Sequence, residues 1–157
     1  MRLTQYTDYA LRVLIYVGLK TELATIAEIA QAYGISRNHL VKIVHNLGSL
    51  GYLQTLRGKY GGLRLAKPAR EINIGTVVRT LEEDLCLVEC FDPHATGRCC
   101  IEPACVLRHA LEGALEAFFQ ELDRYSLADL LVLDRNLAKL LALPPPARSR
   151  VSPDPES

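Results

Sequence analysis

From Leu3 to Leu19 the apolar residues Leu11, Leu14, Ile15 and Leu19, with Tyr6 and Ala10 ahead of them, recur three and four positions apart, which predicts a helix with one buried face. Thr25, with Glu28 three positions on, has the form of a capping box and opens a second helix over Ile26 to Tyr33, closed by Gly34. Ser36 caps a third helix whose inner face is Leu40, Ile43, Val44 and Leu47. Two short helices about the tight turn Gly34-Ile35 make a helix-turn-helix. Past Gly51 the pattern changes to two short strands, Tyr52 to Leu56 and Leu63 to Ala66, around the turn Arg57-Gly58-Lys59-Tyr60-Gly61-Gly62. A hairpin of this kind directly after a helix-turn-helix is a wing.

Helical spacing then resumes. Asn73 caps Ile74 to Glu83, with Ile74, Val77, Val78 and Leu81 on one face. An irregular segment ends at Pro103, and from Ala104 the residues Leu107, Leu111, Ala114, Leu115, Phe118 and Leu122 form the apolar seam of a long helix, interleaved with Arg108, Glu112, Glu116 and Glu121. The winged-helix core is complete without that seam, so it is expected to pair with its twin in a homodimer rather than fold back on its own domain. Ser126 caps a last helix, Leu127 to Leu141, and Pro144-Pro145-Pro146 stops it. The expected organisation is mostly α: a winged helix-turn-helix domain over 1–83, a cysteine-rich loop over 84–103, dimerisation helices over 104–143 and a disordered tail over 144–157.

Charge sharpens the picture. The chain is neutral, but residues 1–75 hold ten Lys or Arg against four acids, a net of plus six, and residues 76–157 hold eight against fourteen, a net of minus six. A basic half joined to an acidic half is the footprint of a polyanion-binding module beside a non-binding one. The outward face of the third helix, with Ser36, Arg37, Asn38, His39, Lys42, His45 and Asn46, suits the major groove of a double-stranded DNA operator: Arg and Lys reach guanine acceptors, Asn pairs with adenine, and the others bond phosphates. Arg57 and Lys59 bring charge to the wing tip. No apolar run is as long as a membrane span, so no membrane partner is expected.

All five cysteines, Cys86, Cys90, Cys99, Cys100 and Cys105, fall within twenty residues. The opening MRLTQYTDYALR lacks the pattern of an export signal, so a reduced, cytoplasmic protein is expected and a disulfide framework is not. Core cysteines would be spread along helices, whereas these gather around Pro93, Gly97 and Pro103. Metal or cluster ligation is the leading expectation, with a metal-free thiol switch as the alternative.

Three segments, LTQYTDYALRVLIYV, TIAEIAQAYGISRNHLVKIVHNLGSLGYLQTLRGKYGGLRLAKPA and ECFDPHATGRCCIEPACVLRHAL, resemble the iron-sulfur winged-helix repressors typified by IscR and NsrR, over about residues 1 to 135. ECFDP followed by CxIxPAC is most similar to the nitric-oxide-sensing NsrR branch. The resemblance implies an iron-sulfur cluster, 4Fe-4S or alternatively 2Fe-2S, on Cys90, Cys99 and Cys105, with Cys86 and Cys100 outside the ligand set. The IscR branch has a histidine three residues after the last cysteine; here that place is Arg108, and His109 follows it. The NsrR branch points instead to Asp8 of the TDYALR motif as the fourth ligand, with His94 in the cysteine loop as its competitor. Thiolates are the soft donors such clusters require, and an oxygen ligand is the one a small molecule displaces.

The function this implies is a homodimeric transcriptional repressor that senses nitric oxide and loses operator affinity on nitrosylation; the alternative is a regulator of the same fold that senses iron-sulfur supply or redox state. An enzyme is not expected, since the chain has no nucleotide loop, no paired catalytic carboxylates and no Cys/His nucleophile arrangement.

Overall fold

Thr4 turns the chain into its first helix: its backbone is extended, and its Oγ accepts the Thr7 N–H at 3.2 Å. The computed structural model describes residues 2–58, 60–92, 94, 99–131 and 135–143; Lys59 at the wing tip and the expected tail, 144–157, lie outside them. Helix α1 runs Gln5–Leu19, two residues inside the expected start, because Thr4 rather than Leu3 supplies the cap. Helix α2, Ile26–Tyr33, carries the expected box: Thr25 Oγ accepts the Glu28 N–H at 3.2 Å, and Glu28 Oε2 accepts the Thr25 N–H at 2.7 Å. It ends on Gly34 at φ 65°, a left-handed conformation that a side chain would strain.

Helix α3, Arg37–Ser49, starts where Ser36 Oγ accepts the His39 N–H at 3.3 Å. Leu14, Ile29, Leu40, Ile43 and Leu47 are fully buried where α1, α2 and α3 meet. Each such side chain contributes about 1.5–3 kcal/mol by leaving water. Strands β1 (Leu53–Leu56) and β2 (Gly62–Leu65) pair antiparallel, with Leu53 opposite Leu65 and Leu56 opposite Gly62. Ala24 adds a third rung, giving its N–H to Leu63 O at 3.0 Å and accepting the Leu63 N–H at 2.7 Å. That one-residue bridge fastens the wing to the chain just ahead of α2.

Helix α4, Ile74–Leu81, begins at the expected Asn73 cap but stops short of Glu83. Glu82 leaves the helix so that its buried carboxylate accepts the Thr4 N–H at 2.8 Å and the Thr4 hydroxyl at 3.1 Å, tying the end of α4 to the start of α1. Helix α5 is Val106–Asp123, starting after a 3-10 turn over Glu102–Ala104 rather than at Ala104. The expected last helix is not continuous. Helix α6, Leu127–Leu130, closes at Leu131, whose N–H is shared between Leu127 O and Ala128 O, and α7 covers Arg135–Leu140. Leu131 lies so close to Gly18 of α1 that a Cβ there would meet its Cδ1 at 2.6 Å, so packing on α1 holds the turn.

The seam of α5 divides along its length. Phe119 is buried and Leu122 packs on the core, whereas Val106 and Leu107 at the other end are 80% and 64% exposed. Part of the helix therefore packs on its own domain, and its first turn does not.

Candidate nucleic-acid interface and metal centre

Helix α3 presents Arg37, Asn38, His39, Val41, Lys42 and His45 to solvent, with Asn46 half-buried at the edge. No acid occurs between Arg37 and Ser49, so apart from Val41 the face carries only cationic donors, amides and imidazoles. The Ser36 hydroxyl oxygen is committed to the helix cap, which leaves its own proton for a phosphate. In the wing, Arg57 is exposed beside Gly58, while Arg64 is drawn along the sheet to Gln54 Oε1 at 2.9 Å. Lys67 lies over the Tyr52 ring at 4.8 Å, so part of the basic half's charge braces the fold.

The cysteines occupy a different environment. Cys90 is half-buried in a 3-10 turn over Glu89–Phe91, Cys105 is the half-buried residue from which α5 springs, and Cys86, Cys99 and Cys100 are exposed. All five are free thiols. Partial loss of hydration first and the neighbouring Asp84 carboxylate second push the exposed Cys86 thiol above its ordinary pKa. Among the described residues no three His, Cys, Asp or Glu side chains converge into a metal-sized cluster, so the four expected ligands are not gathered into one site. Asp8 is held elsewhere: Arg12 grips both of its oxygens, at 3.0 and 2.8 Å, and that hydrogen bond raises the arginine's pKa. The Arg12 guanidinium in turn lies 5.8 Å from the ring centres of Tyr9 and Tyr33. His94 is exposed, and His109 Nδ1 lies 3.2 Å from Cys105 O. The donor chemistry nonetheless fits an iron-sulfur cluster: soft thiols, none oxidised to a disulfide, in a segment that commits none of them to a core.

Residues 3–132 match the family model Rrf2, described as an iron-dependent transcriptional regulator. The chain belongs to the Rrf2 family. Two similar proteins are both named HTH-type transcriptional regulator NsrR. That of Oceanobacillus iheyensis is 53% identical over 91% of this chain and 96% of its own. That of Geobacillus kaustophilus is 54% identical over 90% of this chain and 97% of its own. Among solved structures, CymR, the global cysteine regulator of B. subtilis, superposes with a TM-score of 0.68 at 26% identity, over 83% of this chain and 96% of that one. T. potens IscR shares the fold, with a TM-score of 0.66 at 22% identity over 83% and 86% of the two chains. This Rrf2 chain is thus a DNA-binding transcriptional repressor with a winged-helix fold.

What the pattern of the sequence missed is the joint between its two halves. Arg79 of α4 holds Asp123 of α5 through two bonds of 2.6 and 2.7 Å, and its guanidinium lies 4.3 Å from the centre of the Phe119 ring. Hydrogen bonding to Arg79 depresses the Asp123 pKa. Gly75 makes the approach possible, since a Cβ there would run into the Asp123 carboxylate. Asn73 Nδ2 adds a bond to Asp123 O at 2.7 Å. Partners some fifty residues apart leave no local signal in an Rrf2 sequence, or in any other.

Proposed function

We propose that this chain is a cytoplasmic homodimer that represses transcription while it carries an iron-sulfur cluster, and that nitric oxide releases it from its operator. The observation that carries the reading is the place of Cys105: the last family-position thiol is also the residue from which α5 begins, and α5 is bolted at its other end to α4 of the DNA-binding half. Cys90, Cys99, Cys105 and Asp8 would hold the cluster. When bound, it supplies iron with which nitric oxide reacts, and thiolate bonds that gather the segment between α4 and α5.

The chain's own residues convert that gathering into a DNA geometry. Cys105 fixes where α5 starts, and Arg79, Asp123 and Asn73 fix where it ends against α4. The exposed Val106 and Leu107 supply apolar surface for the twin helix. Dimer geometry then sets the separation of the two α3 helices, which must match half-sites about one DNA turn apart. Arg12 takes one lone pair on each Asp8 oxygen, so a cluster iron bound by Asp8 would share the carboxylate with Arg12. Arg12 leans on Tyr33, the last residue of α2, so a change at Asp8 is felt next to the turn into α3. The names of the NsrR relatives support nitric oxide as the effector.

Protein purified without oxygen should contain iron and sulfide and bind operator DNA. Nitric oxide should lower that affinity at a single fixed salt concentration. Equal affinity of the cluster-bearing, cluster-free and nitric-oxide-treated forms would overturn the mechanism, and a response to iron or oxidants alone would point to supply or redox sensing.

A further inference from the structure

Between the start of α1 and the middle of α3 lies a concavity of about 150 Å³, lined by Gln5, Tyr6 and Tyr9 from α1 and by His39, Lys42 and Ile43 from α3. Its chemistry is one-sided. Gln5 Nε2 donates to the Tyr9 hydroxyl oxygen at 2.8 Å, so the tyrosine's own proton is left to donate outward and the amide keeps a second hydrogen. His39 and Lys42 stand one turn apart on α3, both exposed, and among the described residues no carboxylate pairs with Lys42. Ile43 and the ring of Tyr6, which packs on the core, are the apolar backing. The nearest acid along α1, Asp8, is neutralised by the two-pronged grip of Arg12. A base edge offers both donors and acceptors, whereas a phosphate oxygen only accepts; a lining rich in donors suits the phosphate.

We propose that this concavity clamps one phosphate of the DNA backbone flanking the groove that α3 enters, with the Tyr9 hydroxyl and Lys42 as its donors and Gln5 as the residue that orients the hydroxyl. The clamp rests on α3 lying along the duplex. It extends the interface onto α1, an element outside the helix-turn-helix and the wing, and fixes how far α3 rolls in the groove.

The test uses full-length protein purified without oxygen, a duplex it selects from a random-sequence library, an unselected duplex, and a series of selected duplexes carrying one methylphosphonate each. Tyr9→Phe should weaken selected and unselected duplexes alike, by about tenfold for a lost bond to a charged group. It should leave the salt dependence in place, whereas Lys42→Ala should reduce the slope by about one. One methylphosphonate position should cost the natural protein affinity and cost Tyr9→Phe nothing. Unchanged binding by Tyr9→Phe, or persistence of every methylphosphonate effect in it, would overturn the clamp. Should Tyr9→Phe fold poorly, Gln5→Ala at an exposed position carries the same comparison. Arg37→Ala separates the two readings: if it abolishes the preference for selected DNA while Tyr9→Phe is silent, the clamp alone falls; if neither has an effect, α3 is not on the duplex and both fall.

Discussion

The winged domain and the segment that carries the cysteines are built on opposite principles. Up to Leu81 nearly every element places side chains in one shared core, and each helix from α1 to α4 has a side-chain cap of its own. From Glu83 to Phe118 no described hydrophobic side chain is buried, and α5 begins on Cys105 with no side-chain hydrogen bond at its cap. One region is determined by its own packing. The other is not, and on the proposed reading a cluster or a second subunit completes it. The proposed sensing would depend on that difference, since a segment locked by its own core could not report on a ligand.

The largest expected effects come from breaking the incomplete half. Cys90→Ala, Cys99→Ala or Cys105→Ala should each abolish the visible absorbance and the iron and sulfide content of anaerobically purified protein, while the far-ultraviolet circular dichroism of the winged domain persists. Cys86→Ala and Cys100→Ala should keep most of the chromophore; a colourless Cys100→Ala protein would overturn the ligand assignment. Asp8→Ala should give a bound but more labile cluster, and an unchanged spectrum and lifetime would move the fourth ligand to His94.

Breaking the joint sharpens the comparison further. Nitric oxide or Cys105→Ala should lower operator affinity by roughly 5- to 150-fold, the usual scale of such coupling, with dimer mass and helix content nearly unchanged. Asp123→Asn or Gly75→Ala, which disturb the Arg79 bridge without touching a thiol, should keep the cluster and shrink that ratio. Retention of the full ratio in both variants would show that the signal bypasses the contact between α4 and α5.

The same contrast decides what the sequence could reveal. Caps are local chemistry, so Thr25, Ser36 and Asn73 announced three helix starts, and the spacing of Leu40, Ile43, Val44 and Leu47 identified the buried face of α3. Neighbours far apart in the chain left no such trace: Ala24 against Leu63, Glu82 against Thr4, Arg79 against Asp123. Periodicity also could not choose between adjacent aromatics. The spacing puts Phe118 in the seam, yet Phe119 is the buried one, with Phe118 edge-on to it at 5.2 Å. Within the candidate sites, the exposed face of α3 and the pairing of Asp8 with Arg12 four residues on both follow from helical geometry, but the approach of Arg12 to Tyr33 of α2 required the third dimension.

Within the winged domain, reading and gripping should separate. Arg37→Ala or Asn38→Ala should cost about 1–3 kcal/mol on the selected site and little on random DNA if the side chains read base edges. Arg57→Ala should weaken both and flatten the salt slope by about one unit. Equal losses on both duplexes for the α3 variants would remove their reading role.

The smallest effect lies in the self-sufficient half and concerns acid. Glu28 is pulled in two directions: partial burial pushes its pKa up, but the Lys20 ammonium at 2.6 Å, together with the Thr25 hydroxyl and N–H, outweighs that and leaves it below the ordinary glutamate value. A carboxylate depressed in the folded state binds fewer protons there than in the unfolded chain, so its contribution to stability is fully present above the unfolded value and is lost as pH falls through the folded one. The side chain is 42% exposed, and water screens the ion pair, so most of the contribution is that of the cap, about 1 kcal/mol. Glu28→Gln should therefore lower the unfolding free energy near neutral pH by no more than that, and the gap to the natural protein should close as the pH is taken below the glutamate range. Because α2 sits in the region that holds itself together, the substitution should leave the cluster content and its response to nitric oxide as they were. A gap that stayed constant from neutral to acid pH in denaturant titrations would mean that the glutamate's charge contributes nothing to the cap.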